Sequence, residues 1–186
     1  MGTEIEAKYR LDDPQGMRHR LRAAGAVCRG TVLESNRFYD WPDERLDRSG
    51  WTLRVRRAEA ADGGTTVTVT CKGPRRPGPL KVREEREFHA DDADAVAAVL
   101  DAMGMVRTLT FEKRRATWML DGCTVVLDEV PHLGHFMEIE GAGEDAVTRL
   151  ARTLGLTDAD LEPHTYSRLL TRYCDAHGLD GTRITF

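Results

Sequence analysis

Charge and apolar character alternate along Glu4-Ile5-Glu6-Ala7-Lys8. Successive side chains of a strand point to opposite faces, so Glu4, Glu6 and Lys8 share one face while Ile5, Ala7 and Tyr9 share the other. A single strand of this kind is ordinary, with its apolar face buried and its charged face wet. Here the pattern returns in strand after strand. Trp51, Leu53 and Val55 alternate with Arg54 and Arg56, and Val67, Val69 and Cys71 alternate with Thr66, Thr68, Thr70 and Lys72. Arg83, Glu85 and Glu87 share a face of a strand ending near Phe88. Lys113, Arg115 and Thr117 are in register between Val106 and Leu120, Val126 and Asp128 fall together between Cys123 and Val130, and Glu138 and Glu140 flank Ile139 in a strand from Phe136. Every strand therefore carries its ionisable groups on one face.

The punctuation between these strands is equally legible. Asp13-Pro14 reads as an N-cap followed by proline at the first helical position, with Met17, Leu21 and Ala24 on the apolar face and Gly25 closing the helix. Thr31 to Asp40 is extended, and a polar loop runs through Pro42 and Gly50. Asp62-Gly63-Gly64 and Asp121-Gly122 are hairpin turns. Gly73 to Pro79, with three prolines and two glycines, cannot be regular structure. Asp91 or Asp92 caps a helix through Val96, Val99, Leu100 and Met103 that ends at Gly104. From about residue 143 the chain turns helical, with amphipathic stretches Glu144 to Leu154 and Thr165 to Cys174. The residues from Asp180 to Phe186 follow no pattern. A single domain over 1–186 accommodates all of this.

Composition narrows the function. The net charge of −4 arises from a dense mixture of both signs, which argues against nonspecific nucleic-acid binding. Cys28, Cys71, Cys123 and Cys174 form no C-x-x-C pair, so neither a zinc knuckle nor a dithiol site is indicated. No apolar run approaches the ~20 residues that span a bilayer, and a charged strand stands where a signal peptide would; the expectation is a cytoplasmic protein without membrane association. A homodimer is left open.

The aligned faces collect a basic set, Lys8, Arg54, Arg56, Lys72, Arg83, Lys113 and Arg115, and an acidic set, Glu4, Glu6, Glu85, Glu87, Asp128, Glu138 and Glu140. About eight strands joined mainly by hairpins can close into a barrel wide enough for one small ligand. The expected fold is α+β: a closed eight-stranded antiparallel barrel with helices packed outside. The alternative is an open antiparallel sheet with solvated charges. An enclosed charged lumen must be cross-paired or filled by a charged ligand. A polyphosphate with a divalent metal fits, because its oxygens take several Arg and Lys donors and its metal takes carboxylates. If those cations converge unneutralised, losing one such as Arg115 should leave the free protein as stable or more so.

Glu4-x-Glu6-x-Lys8, Leu53-Arg54-x-Arg56, Cys71-Lys72-Gly73-Pro74, Arg83-x-Glu85-x-Glu87, Lys113-x-Arg115, Leu127-Asp128 and Glu138-x-Glu140 resemble, in order, the motifs of the CYTH superfamily of class IV adenylyl cyclases and thiamine triphosphatases. The resemblance implies a triphosphate tunnel. Its basic residues would hold the triphosphate, and its carboxylates, with Glu6 and Glu138 as the type, would hold magnesium or manganese. Leu133 to Glu140 and His164 to Leu170 are similar to stretches of the cyclase branch, which implies conversion of ATP to cyclic AMP and pyrophosphate. The alternative is hydrolysis of inorganic or thiamine triphosphate, and a further one is a non-catalytic nucleotide- or polyphosphate-binding module. Lys8 with Tyr39 resembles a catalytic pairing of the triphosphatase branch. Three weaker candidates read as surface or packing: His132 with His135, Arg75 with Arg76, and His164 with Tyr166.

Overall fold

In the computed structural model, which describes residues 2–186, the helix signals act as read. Asp13 accepts a hydrogen bond from the Gly16 N–H at 2.8 Å, and Pro14 opens α1 (Pro14–Ala23), which buries Met17 and Leu21; Ala24 stays exposed at its end. Asp92 caps α3 (Ala93–Ala102). Between them the polar loop contains a short helix, α2 (Arg45–Arg48), tied down by Asp40, whose carboxylate accepts from the N–H groups of Trp41, Leu46 and Asp47. The tail supplies α4 (Glu144–Thr153) and α5 (Tyr166–His177).

The strands are β1 (Gly2–Arg10), β2 (Val27–Asp40), β3 (Thr52–Ala60), β4 (Thr65–Lys72), β5 (Lys81–Ala90), β6 (Val106–Leu120), β7 (Cys123–Val130) and β8 (Gly134–Glu140). They run in the order β2-β3-β4-β5-β1-β8-β7-β6, and β2 pairs again with β6, closing an eight-stranded antiparallel barrel. An open sheet is thereby ruled out. The closing pair explains why β2 begins at Val27, before Thr31: β6 is long enough to keep pairing as far as Met119. Asp121 and Gly122, at φ 49° and 74°, make the tight β6–β7 turn, a geometry glycine adopts at no steric cost. The patternless end of the chain is not loose: β9 (Arg183–Ile184) adds to β6 in parallel, and Ile184 is buried beside Phe111.

Apolar packing lies outside the barrel wall. Ala7, Tyr9, Trp118, Val125, Met137 and Ile139 point outward against α1 and α4, which contribute Met17, Leu21, Val147, Leu150 and Leu154. Val55, Val67 and Val69 pack with Ala93, Val96, Ala97 and Leu100 of α3. One cluster is the exception: Tyr166, Leu169 and Leu170 of α5 pack with Leu109, Phe111 and Phe136, which share the inward parity of Lys113, Arg115 and Glu138, and Leu109, Phe111 and Tyr166 border the cavity. Elsewhere the alternation has been used in inverse, with the hydrophobic face on the convex side and the charged face inside. Among the described residues no helix is long and apolar enough to cross a membrane.

Candidate active site

The barrel encloses a cavity of about 1610 Å³. Lys8, Arg54, Arg56, Lys72, Arg83, Lys113, Arg115, Glu4, Glu6, Glu85, Glu87, Glu138 and Glu140 all line it, although they come from six strands. Antiparallel register brings opposite charges side by side: Glu4 faces Arg83, Lys8 faces Glu138, Lys72 faces Glu85, Glu34 faces Lys113 and Arg115 faces Asp128. Such cross-strand pairs stabilise a sheet.

The pairs join into a network. Arg115 donates to both oxygens of Asp128, at 2.7 and 2.6 Å, and to Glu138 at 2.5 Å. Lys113 donates to Asp128 at 3.0 Å and lies 3.4 Å from Glu34, which also takes Arg56 at 3.1 Å. Lys72 and Arg83 both hold Glu4, and Lys81 donates to Glu6 at 3.0 Å. Burial pushes the Glu4 carboxyl up, but Lys72 and Arg83 outweigh it and hold it below its usual range. Burial also acts against ionised Glu138, yet Arg115 and Lys8 hold it well below the carboxylate range.

Two groups stand outside this balance. Arg54 has no carboxylate within 4.0 Å among the described residues; its one side-chain contact is Thr70 Oγ1 at 3.4 Å, and its Nε has no partner. Burial first, then neighbouring Arg56, lowers its pKa to about 10. Glu140 stands directly across from Glu6 in the β1–β8 register. Burial, then Glu4 and Glu6, pushes its carboxyl up to about 7, although its exposure at the tunnel mouth lets water screen part of this.

Lys8 is 2 % exposed, 3.4 Å from Glu138, and its Nζ sits 3.4 Å above the centre of the Tyr166 ring. Burial first, then Lys81 and Lys113, brings it down to about 7 against the pull of Glu138 and Glu6. A cation whose folded pKa lies below its unfolded one binds fewer protons folded than unfolded between those values, so it makes stability rise with pH from about 7 towards 10.5. Lys8→Met should flatten that limb; parallel stability–pH curves for the two proteins would contradict the placement of Lys8.

Two expected site residues lie apart from the rest. Tyr39 borders the cavity but packs its side chain in the outer cluster with Val55, Val67 and Val69, because it stands at odd spacing from inward-facing Glu34 and pairs with outward-facing Leu53. Lys8 therefore meets Tyr166 and not Tyr39. Asp128 is 1 % exposed, does not line the cavity, and has its oxygens taken by Arg115, Lys113 and the Tyr166 hydroxyl, which donates at 2.8 Å. It is a strut beneath the cations. His132, in contrast, is a surface residue stacked on Tyr173, as a loop reading requires.

A CYTH domain model matches residues 2–166. This chain belongs to the CYTH family. It is 27% identical over 179 residues to the adenylate cyclase CyaB of Aeromonas hydrophila, covering 89% of this chain and 87% of that protein. A solved Pyrococcus horikoshii protein superposes with a TM-score of 0.78 at 27% identity, covering 91% of this chain and 99% of the other. HpAC1 of Hippeastrum, described with a dominant triphosphatase activity, shares the fold at a TM-score of 0.64 and 19% identity, over 95% of this chain and 97% of that one. CYTH proteins are enzymes that act on triphosphates, and this chain has their tunnel.

Three residues in or beneath the tunnel of this CYTH domain were not among the expected catalytic, substrate-binding or metal residues. Lys81 lies two positions before Arg83 and so on the same face, a signal that extended alternation would have caught. Glu34, 2 % exposed, opens the stretch ending at Asp40, where polar residues stand at both parities and no alternation marks the inner face. Tyr166 comes from a distant helix, and no strand period points to it.

The donor set suits a hard divalent ion: carboxylate oxygens of Glu4, Glu6, Glu138 and Glu140 face one region, and Glu140 is repelled by two of them. Yet no three acidic, histidine or cysteine side chains among the described residues stand close enough together to hold one. Cations stand between them.

Proposed function

We propose that this CYTH domain is a divalent-metal-dependent adenylyl cyclase of the class IV kind, converting ATP to cyclic AMP and pyrophosphate. The observation that carries it is Arg54, a half-buried guanidinium whose buried Nε has no partner and which makes no ion pair among the described residues, set in a tunnel whose other strand-borne cations are paired with carboxylates. A charge of this kind is costly until an anion arrives. Its planar fork suits two phosphate oxygens, and Arg56, Lys72, Lys113 and Arg115 supply further donors along a polyphosphate. Burial brings Lys8 down to about 7, which suits its Nζ to accept a proton near neutral pH as the ribose 3′ oxygen attacks the α-phosphorus. Tyr166 and Glu138 hold that nitrogen in place. Magnesium or manganese, held by Glu6 and Glu138 with Glu4 and Glu140, would neutralise charge on the departing pyrophosphate.

A second reading, hydrolysis of inorganic or thiamine triphosphate, is favoured by the same Lys8, which can equally orient and deprotonate a water at the terminal phosphorus. ATP, inorganic triphosphate and thiamine triphosphate, each supplied with magnesium or manganese, separate the readings by product: cyclic AMP with pyrophosphate, or orthophosphate with the shortened chain. Tight binding with no product from any of them would make the chain a binding module.

Turnover should vanish in excess chelator and return with added metal. Glu6→Gln should cut turnover roughly 100-fold or more, as loss of a metal ligand exceeds loss of its supporting shell. It should lower stability far less than turnover, because the amide can still accept from Lys81. Loss of stability equal to the loss of rate would make Glu6 a structural residue.

A further inference from the structure

Lys81 opens β5, is 5 % exposed, lines the cavity and donates to Glu6 Oε1 at 3.0 Å. Its arrangement is shared: Lys72 and Arg83 occupy Glu4, and Lys8 and Arg115 occupy Glu138. The carboxylates best placed for a divalent ion thus already hold side-chain cations at their oxygens. An ammonium and a metal ion compete for the same lone pairs, and both cannot sit on Glu6 Oε1. Lys81 differs from the others in one way. Like Lys8 and Arg83 it makes a single ion pair among the described residues, but its carboxylate partner makes no other, so one move of Lys81 frees that carboxylate entirely.

We propose that Lys81 couples metal binding to polyphosphate binding: it blocks Glu6 against the free metal ion and releases it when a phosphate oxygen offers the ammonium another anion. A lysine suits this role, being a point charge on a flexible four-carbon stem. Metal entering alone must leave the ammonium in the tunnel without a counter-charge, beside Lys8. Metal entering with a polyphosphate brings that counter-charge with it. Coupling of this kind is reciprocal, so polyphosphate alone is also bound weakly while Lys81 stays on Glu6.

The proposal rests on the tunnel binding a metal–triphosphate complex, and its test separates the two. Binding of manganese alone and of a preformed complex of manganese with a non-hydrolysable triphosphate analogue is measured at pH 7.5, by electron paramagnetic resonance and calorimetry, on the full chain. Lys81→Met should tighten manganese alone by 10-fold or more and weaken the complex by 10-fold or more. The gain for manganese should disappear in Lys81→Met combined with Glu6→Gln. A residue that merely supports the fold would weaken both, and one that only contacts phosphate would leave manganese alone unchanged; either result overturns the coupling role. Wild-type protein that does not bind the complex overturns the functional reading and this inference with it. Should Lys81→Met not fold, Lys81→Gln, which keeps a polar end on Glu6, carries the same expectation.

Discussion

Arg115→Ala is expected to lower the stability of the ligand-free protein by about 3–5 kcal/mol, the cost of removing one partner from a buried ion pair. For a chain of this size that is a fall of roughly 6–20 °C in melting temperature. Arg115 is the hub that neutralises Asp128 through two hydrogen bonds and Glu138 through a third. Asp128 is 1 % exposed and would be left to Lys113 and the Tyr166 hydroxyl alone. The charge pattern by itself suggests the opposite sign, since Arg115 then counts as one more repelling cation. The pattern lacks the partner. A melting temperature within about 2 °C of wild type would show that the Arg115 network contributes no more than a surface pair.

The tunnel cation whose loss should cost the free protein nothing is Arg54. Arg54→Met removes a charge that burial and Arg56 already disfavour, so the ligand-free melting temperature should hold or rise. The same substitution should weaken binding of inorganic triphosphate with magnesium roughly 10- to 150-fold, corresponding to loss of about 1.5–3 kcal/mol for a charge-assisted hydrogen bond. A ligand at one hundred times its dissociation constant stabilises by about 2.7 kcal/mol, and at the variant's weaker affinity between about half and nearly all of that shift should disappear. Orthophosphate should shift neither protein appreciably, because it spans only some of the cations. Thermal shift and calorimetry read both halves of this expectation. Undiminished triphosphate stabilisation in Arg54→Met would remove the convergent site, and a large loss of free stability would show that Arg54 has a carboxylate partner in solution.

The two variants together separate scaffolding from binding within a single row of charges. Arg54 and Arg115 look alike in sequence, each an arginine on the charged face of an alternating strand. Their difference is set by the neighbouring strand: Arg115 faces Asp128 in β7, while Arg54 faces Thr70 in β4. Register supplies one arginine with a carboxylate and the other with a hydroxyl.

Period and punctuation were enough, without any contact information, for the barrel strands, the two capped helices, the hairpin turns and the inward set of charges. Each depends on a side chain's parity along its own strand or on a turn residue's own backbone preference, and both are local. The patternless tail and the start of β2 were not legible, because β9 and residues 27–30 are extended only through pairing with β6. Tyr39 was misplaced for a different reason: the family resemblance pointed to it, whereas uninterrupted alternation from Glu34 puts it on the outer face. Tyr166 joins the tunnel because α5 packs its apolar face on Phe111 and Phe136, which lie in β6 and β8. Thus the sequence determined which residues face the tunnel and which chemistry they bring. The closed barrel decided which of those charges are neutralised by one another and which remain to meet a ligand, since an ion pair forms between neighbours in space and register is fixed only when all the strands have paired.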